Sequence, residues 1–135
     1  MKEILSKVDM KPVAVLYAFA DMNEEGESRT EPAVLMQVAA KVIPAEKIFA
    51  AHAHLPCERA TVGTQEAWVV IRGLVEVDIY DIDDYPLECL GLRSGDCLLL
   101  LRGGHAMRTL VPTTLYEFKT GPYNGKEKDK RMIDP

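Results

Sequence analysis

His52 and His54 stand two places apart in the stretch AAHAHLPCERA (50–60), and the chain owns one other histidine, His105. Side chains alternate faces along a strand, so an H-x-H pair projects both imidazoles to one side. That is how a sheet offers two nitrogens to one ion. Glu66 opens the strand-like run EAWVVIR, on which Glu66, Trp68, Val70 and Arg72 share a face. His105 directly follows a double glycine in GDCLLLLRGGH (95–105). Three neutral imidazoles and one carboxylate leave a divalent ion with residual positive charge and open positions for water or substrate. Such an ion polarises a substrate oxygen as a Lewis acid, or binds dioxygen if it is iron.

His52, His54, Glu66 and His105 are thus the side chains that could share one divalent ion, Fe, Mn, Zn or Ni. Glu58 is a rival carboxylate, since it follows His54 after three residues. Trp68, Arg59, Arg72, Tyr80 and Met107 are the candidates for a surrounding small-molecule pocket. Each has a plainer alternative. Trp68 packs in a core as readily as it binds a ligand, and Arg59 and Arg72 suit surface ion pairs with Glu58 and Glu66. Cys57 lacks the partners of a thiolate site and reads as a loop thiol. No side chain is singled out as catalytic.

Short strands are the elements that must position these groups. VAVLYAF (13–19), the bracketed AVLMQVAAKVI (33–43), and stretches 46–53, 66–72, 74–82, 86–91, 97–101, 105–111 and 114–120 read as strands. Gly73, DIDDYP (81–86), RSGD (93–96), GG (103–104) and PTT (112–114) punctuate them. Many short strands with regular turns predict an antiparallel sandwich or barrel, and no long amphipathic stretches intervene to build an α/β fold. KEILSKV (2–8) admits a short helical turn or a strand, and residues 121–135 an extended charged tail that orders where it packs.

The whole is bounded by modest numbers. A chain of 135 residues is most simply one domain, 1–135, long enough for one core. A formal charge of −5 argues against nucleic acid or anionic lipid as a partner. Cys57, Cys89 and Cys97 form no disulfide framework, which points to a reducing, cytoplasmic setting. PVAVLYAFA near the N-terminus has the small residues of a signal cleavage site, but its apolar run is short and reads better as a buried strand. No run approaches the ~20 apolar residues of a membrane span. Exposed edge strands make a homodimer the default, with the 13–19 strand as the segment to reach across.

The chain resembles the cupin superfamily over about residues 34–120. That family's first motif reads roughly G-x5-H-x-H-x3-4-E-x6-G; here His52-Ala53-His54 supplies H-x-H, and Glu66 with six residues to Gly73 supplies E-x6-G. Eleven residues separate His54 from Glu66, so LPCERATVGTQ is an insertion against that pattern. The second motif, G-x5-P-x-G-x2-H-x3-N, is matched by Gly95, Gly103 or Gly104, and His105, without its proline. The resemblance implies an all-β jelly-roll barrel (a double-stranded β-helix), with the four ligands above in its interior. It is similar to small single-domain bacterial cupins, some linked to surface-sugar biosynthesis. Three functions follow: a metal-dependent enzyme acting on a small polar acid or sugar derivative, such as an isomerase or oxygenase; a non-catalytic module binding a carbohydrate or acid; or a metal-free sugar epimerase with His105 as base and Tyr80 or Tyr116 as acid.

Overall fold

LVEVDIY is apolar at every second position, and the strand it forms buries Val75, Val77 and Ile79 completely while Glu76 and Asp78 face outward. The computed structural model describes residues 1–22, 26–30, 34–123 and 125–134. In chain order the strands are β1 (Lys2–Leu5), β2 (Pro12–Tyr17), β3 (Gly26–Arg29), β4 (Ala39–Val42), β5 (Glu66–Arg72) and β6 (Leu74–Tyr80). They continue with β7 (Pro86–Arg93), β8 (Cys97–Leu100), β9 (Gly104–Thr109) and β10 (Thr114–Lys119), followed by a one-turn helix, α1 (Lys126–Asp129). All pair antiparallel, in a five-stranded sheet β1-β2-β8-β5-β10, a three-stranded sheet β7-β6-β9 and a ribbon β3-β4.

The two larger sheets face each other across one core. Val13, Trp68, Val70, Leu98 and Leu100 from the five-stranded sheet meet Val75, Val77, Ile79, Leu90 and Leu92 from the three-stranded one. The outer face of the five-stranded sheet carries a second cluster, Val15, Tyr17, Ala67 and Leu99, on which Val34, Met36, Val38 and Ala40 pack. Strand β8 is thus covered on both faces, which is why CLLL is a continuous apolar run rather than an alternating one.

Turns close on buried carboxylates. Asp96 in RSGD accepts from the backbone N–H groups of Phe19 and Arg93, each at 2.8 Å. Asp81, fully buried at the DIDDYP turn, accepts from Lys7 N–H at 2.7 Å and Ile82 N–H at 2.8 Å, tying that turn to the N-terminal one. At the double glycine, Gly103 has φ +72°, and a Cβ there would strike the Tyr80 carbonyl oxygen, so the approach to His105 needs glycine.

Several expectations are corrected. Antiparallel all-β architecture is present, but the sheets do not close into a barrel. Residues 46–53 form no strand; residues 43–63 are all exposed. Ala50, Ala51 and Ala53 have little β-propensity, Pro44 and Pro56 bracket the stretch, and nothing alongside it supplies a ladder. Of 33–43, only Ala39–Val42 is strand, because 34–38 lies across the outer sheet face instead of joining it; Ala33 is outside the described residues. The 2–8 segment is strand, not helix, because Lys2–Leu5 pairs with β2, after which the Ser6 hydroxyl accepts from Val8 and Asp9 N–H and turns the chain. The tail is not wholly extended: it holds α1. The stretch weighed as a signal segment is β2, inside the large sheet. No helix among the described residues is long and apolar enough to cross a membrane.

Candidate functional site

Glu66 begins β5, and its register opposite Lys119 of β10 and Leu100 of β8 turns it toward the facing sheet, like Trp68 and Val70 further along. His105 is the second residue of β9, opposite the buried Ile79, and so points into the same space. The two meet: Glu66 Oε2 lies 3.6 Å from His105 Nε2. Lys119 Nζ holds the other carboxylate oxygen, Oε1, at 2.6 Å, and stands 3.6 Å from both Glu117 and Asp129. The Trp68 ring meets the His105 ring edge-on, with centroids 5.0 Å apart and planes at 84°.

Three electrostatic features define this cluster. Burial lowers the His105 pKa against the pull of Glu66, and the Lys130 and Lys119 charges lower it further. The imidazole is therefore neutral at neutral pH, the form that offers a lone pair to an ion or a proton. The hydrogen bond to Glu66 raises the Lys119 pKa, so that ammonium stays charged. Trp68 is 3% exposed, yet its indole Nε1–H has no acceptor among the described residues. A buried donor without a partner costs ~1–3 kcal/mol, which a ligand oxygen or a water at this point would recover.

His52 and His54 are elsewhere, in the exposed 43–63 stretch, with ring centroids 5.4 Å apart and planes at 82°. His52 Nδ1 is 3.0 Å from the Ala50 carbonyl oxygen, which leaves Nε2 outward. Among the described residues, no group of three or more His, Cys, Asp and Glu stands together as an ion would require. The four expected ligands are thus two pairs: Glu66 with His105 between the sheets, His52 with His54 in the exposed arm. Glu58, the rival carboxylate, lies in the same arm, as do Arg59 and Cys57.

The other pocket candidates divide similarly. Trp68 packs in the core, as its plainer reading has it, and its ring also lies against His105. Met107 is two residues beyond His105 on the same face of β9 and is 45% exposed, because no strand among the described residues flanks β9 on its far side. Arg72, at the end of β5, is exposed. Tyr80 pairs with Gly104, out of phase with the inward Ile79. Tyr116 pairs with Val69 and shares the outer face of β10 with Phe118, opposite to the face of Lys119.

Lys119 and Asp129 escaped the sequence reading. A lysine in TLYEFK carries no local signal, and only the pairing register sets it opposite Glu66. Asp129 arrives through α1, where it also accepts from the Thr64 hydroxyl at 2.8 Å. The tail is further tied by two hydrogen bonds from Arg131 to Asp84, at 2.8 and 2.6 Å, and Ile133 sits where a Cβ on Gly104 would be. Comparison of the chain with protein-family models, with curated proteins and with solved structures gives no match.

Proposed function

We propose that this chain is a metal-binding protein of the cupin type that holds a small polar acid or sugar derivative between its two main sheets. One observation carries the reading: Glu66 and His105, far apart in sequence, converge to 3.6 Å beside the buried Trp68 ring, whose indole N–H lacks an acceptor among the described residues. The donor set fits a borderline divalent cation, with His105 and Glu66 as one half and His52 and His54 as the other. A divalent ion bound there supplies Lewis-acid stabilisation of an oxyanion in a weakly screened site. The chain's own residues would do the rest. Lys119 holds the Glu66 carboxylate in orientation, as an outer partner of a ligand does. Trp68 Nε1 donates to a ligand oxygen, and the neutral His105 presents Nε2 to the same space.

Elemental analysis of protein purified without chelator tests this directly, beside the His105→Ala variant. Stoichiometric metal in the parent chain and its loss in the variant is the expected result. Metal-free parent protein that also fails to take up cobalt(II) contradicts it. A second reading, a non-catalytic carbohydrate- or acid-binding module, is favoured by two donors around the Glu66–His105 pair, the charged Lys119 ammonium on Glu66 and the neutral N–H of the Trp68 ring beside His105. A panel of sugars and carboxylic acids that raises the thermal midpoint without being turned over supports that reading, and turnover defeats it. The metal-free epimerase reading has weaker support, because Tyr116 belongs to the outer face of β10 and Tyr80 is out of phase with the inward residues of β6.

A further inference from the structure

We infer that the 43–63 arm completes the Glu66–His105 site of a second copy of this chain, by laying its 46–53 segment along the free edge of β9. The inference rests on the metal-centre reading above and adds where the missing ligands come from.

Three observations lead to it. Among the described residues strand β9 pairs with β6 alone, so no strand among them covers the backbone N–H and C=O groups of its other edge. The residues 104–109 contain no proline or lysine to guard that edge, and Arg108 is drawn to Glu76 on the neighbouring strand. The arm is its chemical counterpart. It carries Ile48 at 87% exposed, Phe49 at 63%, Leu55 at 86% and Val62 at 100%, an apolar load that a lone chain leaves in water. Finally, each half-site lacks what the other holds. Extended one residue further, to 54, the 46–53 segment would set His52 and His54 on one face, and seated beside β9 that face adjoins His105, Met107 and Thr109.

The ends of the arm favour a partner over self-closure. It departs from β4, which is held on β3, and returns at Gln65, held by reciprocal bonds to Thr120 at 3.0 Å. Between these anchors every residue from 43 to 63 is exposed, and only its end, at Thr61 and Gly63, borders Thr120 and α1 among the described residues. Exchange of two such arms is isologous, so a two-fold dimer completes both sites at once. An arm of about twenty residues plus the edge it covers matches the roughly 20–30 residues a side of a stable interface.

Complementation of full-length chains tests this, with cobalt(II) as the probe. His52→Ala/His54→Ala protein is unfolded and refolded together with an equal amount of His105→Gln protein, and each is also refolded alone. Neither alone should bind cobalt at the parent site. With exchange between chains, half the dimers are mixed and hold one intact site each, so the mixture should regain about one quarter of the parent stoichiometry. Parent protein should sediment as a dimer at micromolar concentration, and Ile48→Asp/Phe49→Asp, both in the exposed arm, should be a folded monomer by circular dichroism and sedimentation. Cobalt binding by the parent with none regained in the mixture means the arm closes on its own chain and overturns the inference while leaving the metal centre intact. A parent without cobalt sinks the metal reading, yet a dimer dissolved by Ile48→Asp/Phe49→Asp still upholds the arm as the interface. A monomeric parent, or a dimer indifferent to those two substitutions, overturns the exchange.

Discussion

Substituting Glu66 and Lys119 singly and together should reveal an ordered, strongly non-additive cycle. Glu66 is 8% exposed, and its main partner is the Lys119 ammonium at 2.6 Å. A hydrogen bond to a charged group contributes ~1.5–3 kcal/mol. In Glu66→Gln, Lys119 keeps Glu117 and Asp129, each at 3.6 Å, so the loss is set at about 1–2 kcal/mol. Lys119→Met is worse, because it strands a buried carboxylate beside a neutral imidazole. Removing one partner of a buried pair costs ~3–5 kcal/mol, discounted here to about 2–4 because Lys119 is one-fifth exposed. The double variant leaves neither charge stranded and should return to a loss of about 1–2 kcal/mol, so the coupling equals the Lys119→Met loss, about 2–4 kcal/mol. Urea unfolding in EDTA, read by Trp68 fluorescence, measures all four corners. A Lys119→Met loss no larger than that of Glu66→Gln, or losses that simply add, would refute the argument that these two groups form one buried unit.

Other outcomes follow from the core and the turns. Leu99→Ala should cost about 3 kcal/mol in urea unfolding, since Leu99 is fully buried under residues 34–40 on the outer sheet face; a loss below ~1 kcal/mol would mean that cover is absent. For Asp81, burial pushes the pKa up, but hydrogen bonds from Ser6 and the Ile82, Lys7 and Val8 N–H groups outweigh it and leave the carboxyl below its ordinary value. A carboxylate depressed on folding stabilises above its unfolded pKa of about 3.9 and loses that contribution as pH falls through the folded value. Asp81→Asn should therefore be less stable at neutral pH and show a shallower loss of stability from about pH 4 downward; an unchanged acid limb would count against the role given to Asp81.

Much of this architecture was legible wherever one face of a strand meets water. LVEVDIY and EAWVVIR declare themselves by alternation and by the glycine between them, and RSGD and DIDDYP by their turn residues. CLLL was legible as a strand, while its cover on both faces is known only from the two clusters that pack on it. The misreadings fall where local composition does not decide the outcome. AVLMQVAAKVI is β-branched enough for a strand, yet most of it serves as a cover over a sheet whose outer face needs one. IFAAHAHL could extend along an edge, and no strand among the described residues pairs with it. The candidate site divides along the same line. Glu66 and His105 sit on strands whose register is fixed by core packing, so their convergence follows once those strands are found. His52 and His54 sit on an exposed segment that no strand pairing fixes among the described residues, and Lys119 becomes visible only through pairing across β5 and β10.

The three imidazoles themselves offer the most direct measurement, because the chain has only those three. Nitrogen-15 NMR of the histidine side chains during titration with zinc(II) reports each ring separately. The account predicts that His52, His54 and His105 shift together and saturate at one zinc per chain. Saturation of His52 and His54 with His105 unmoved would contradict it, leaving two half-sites that never join.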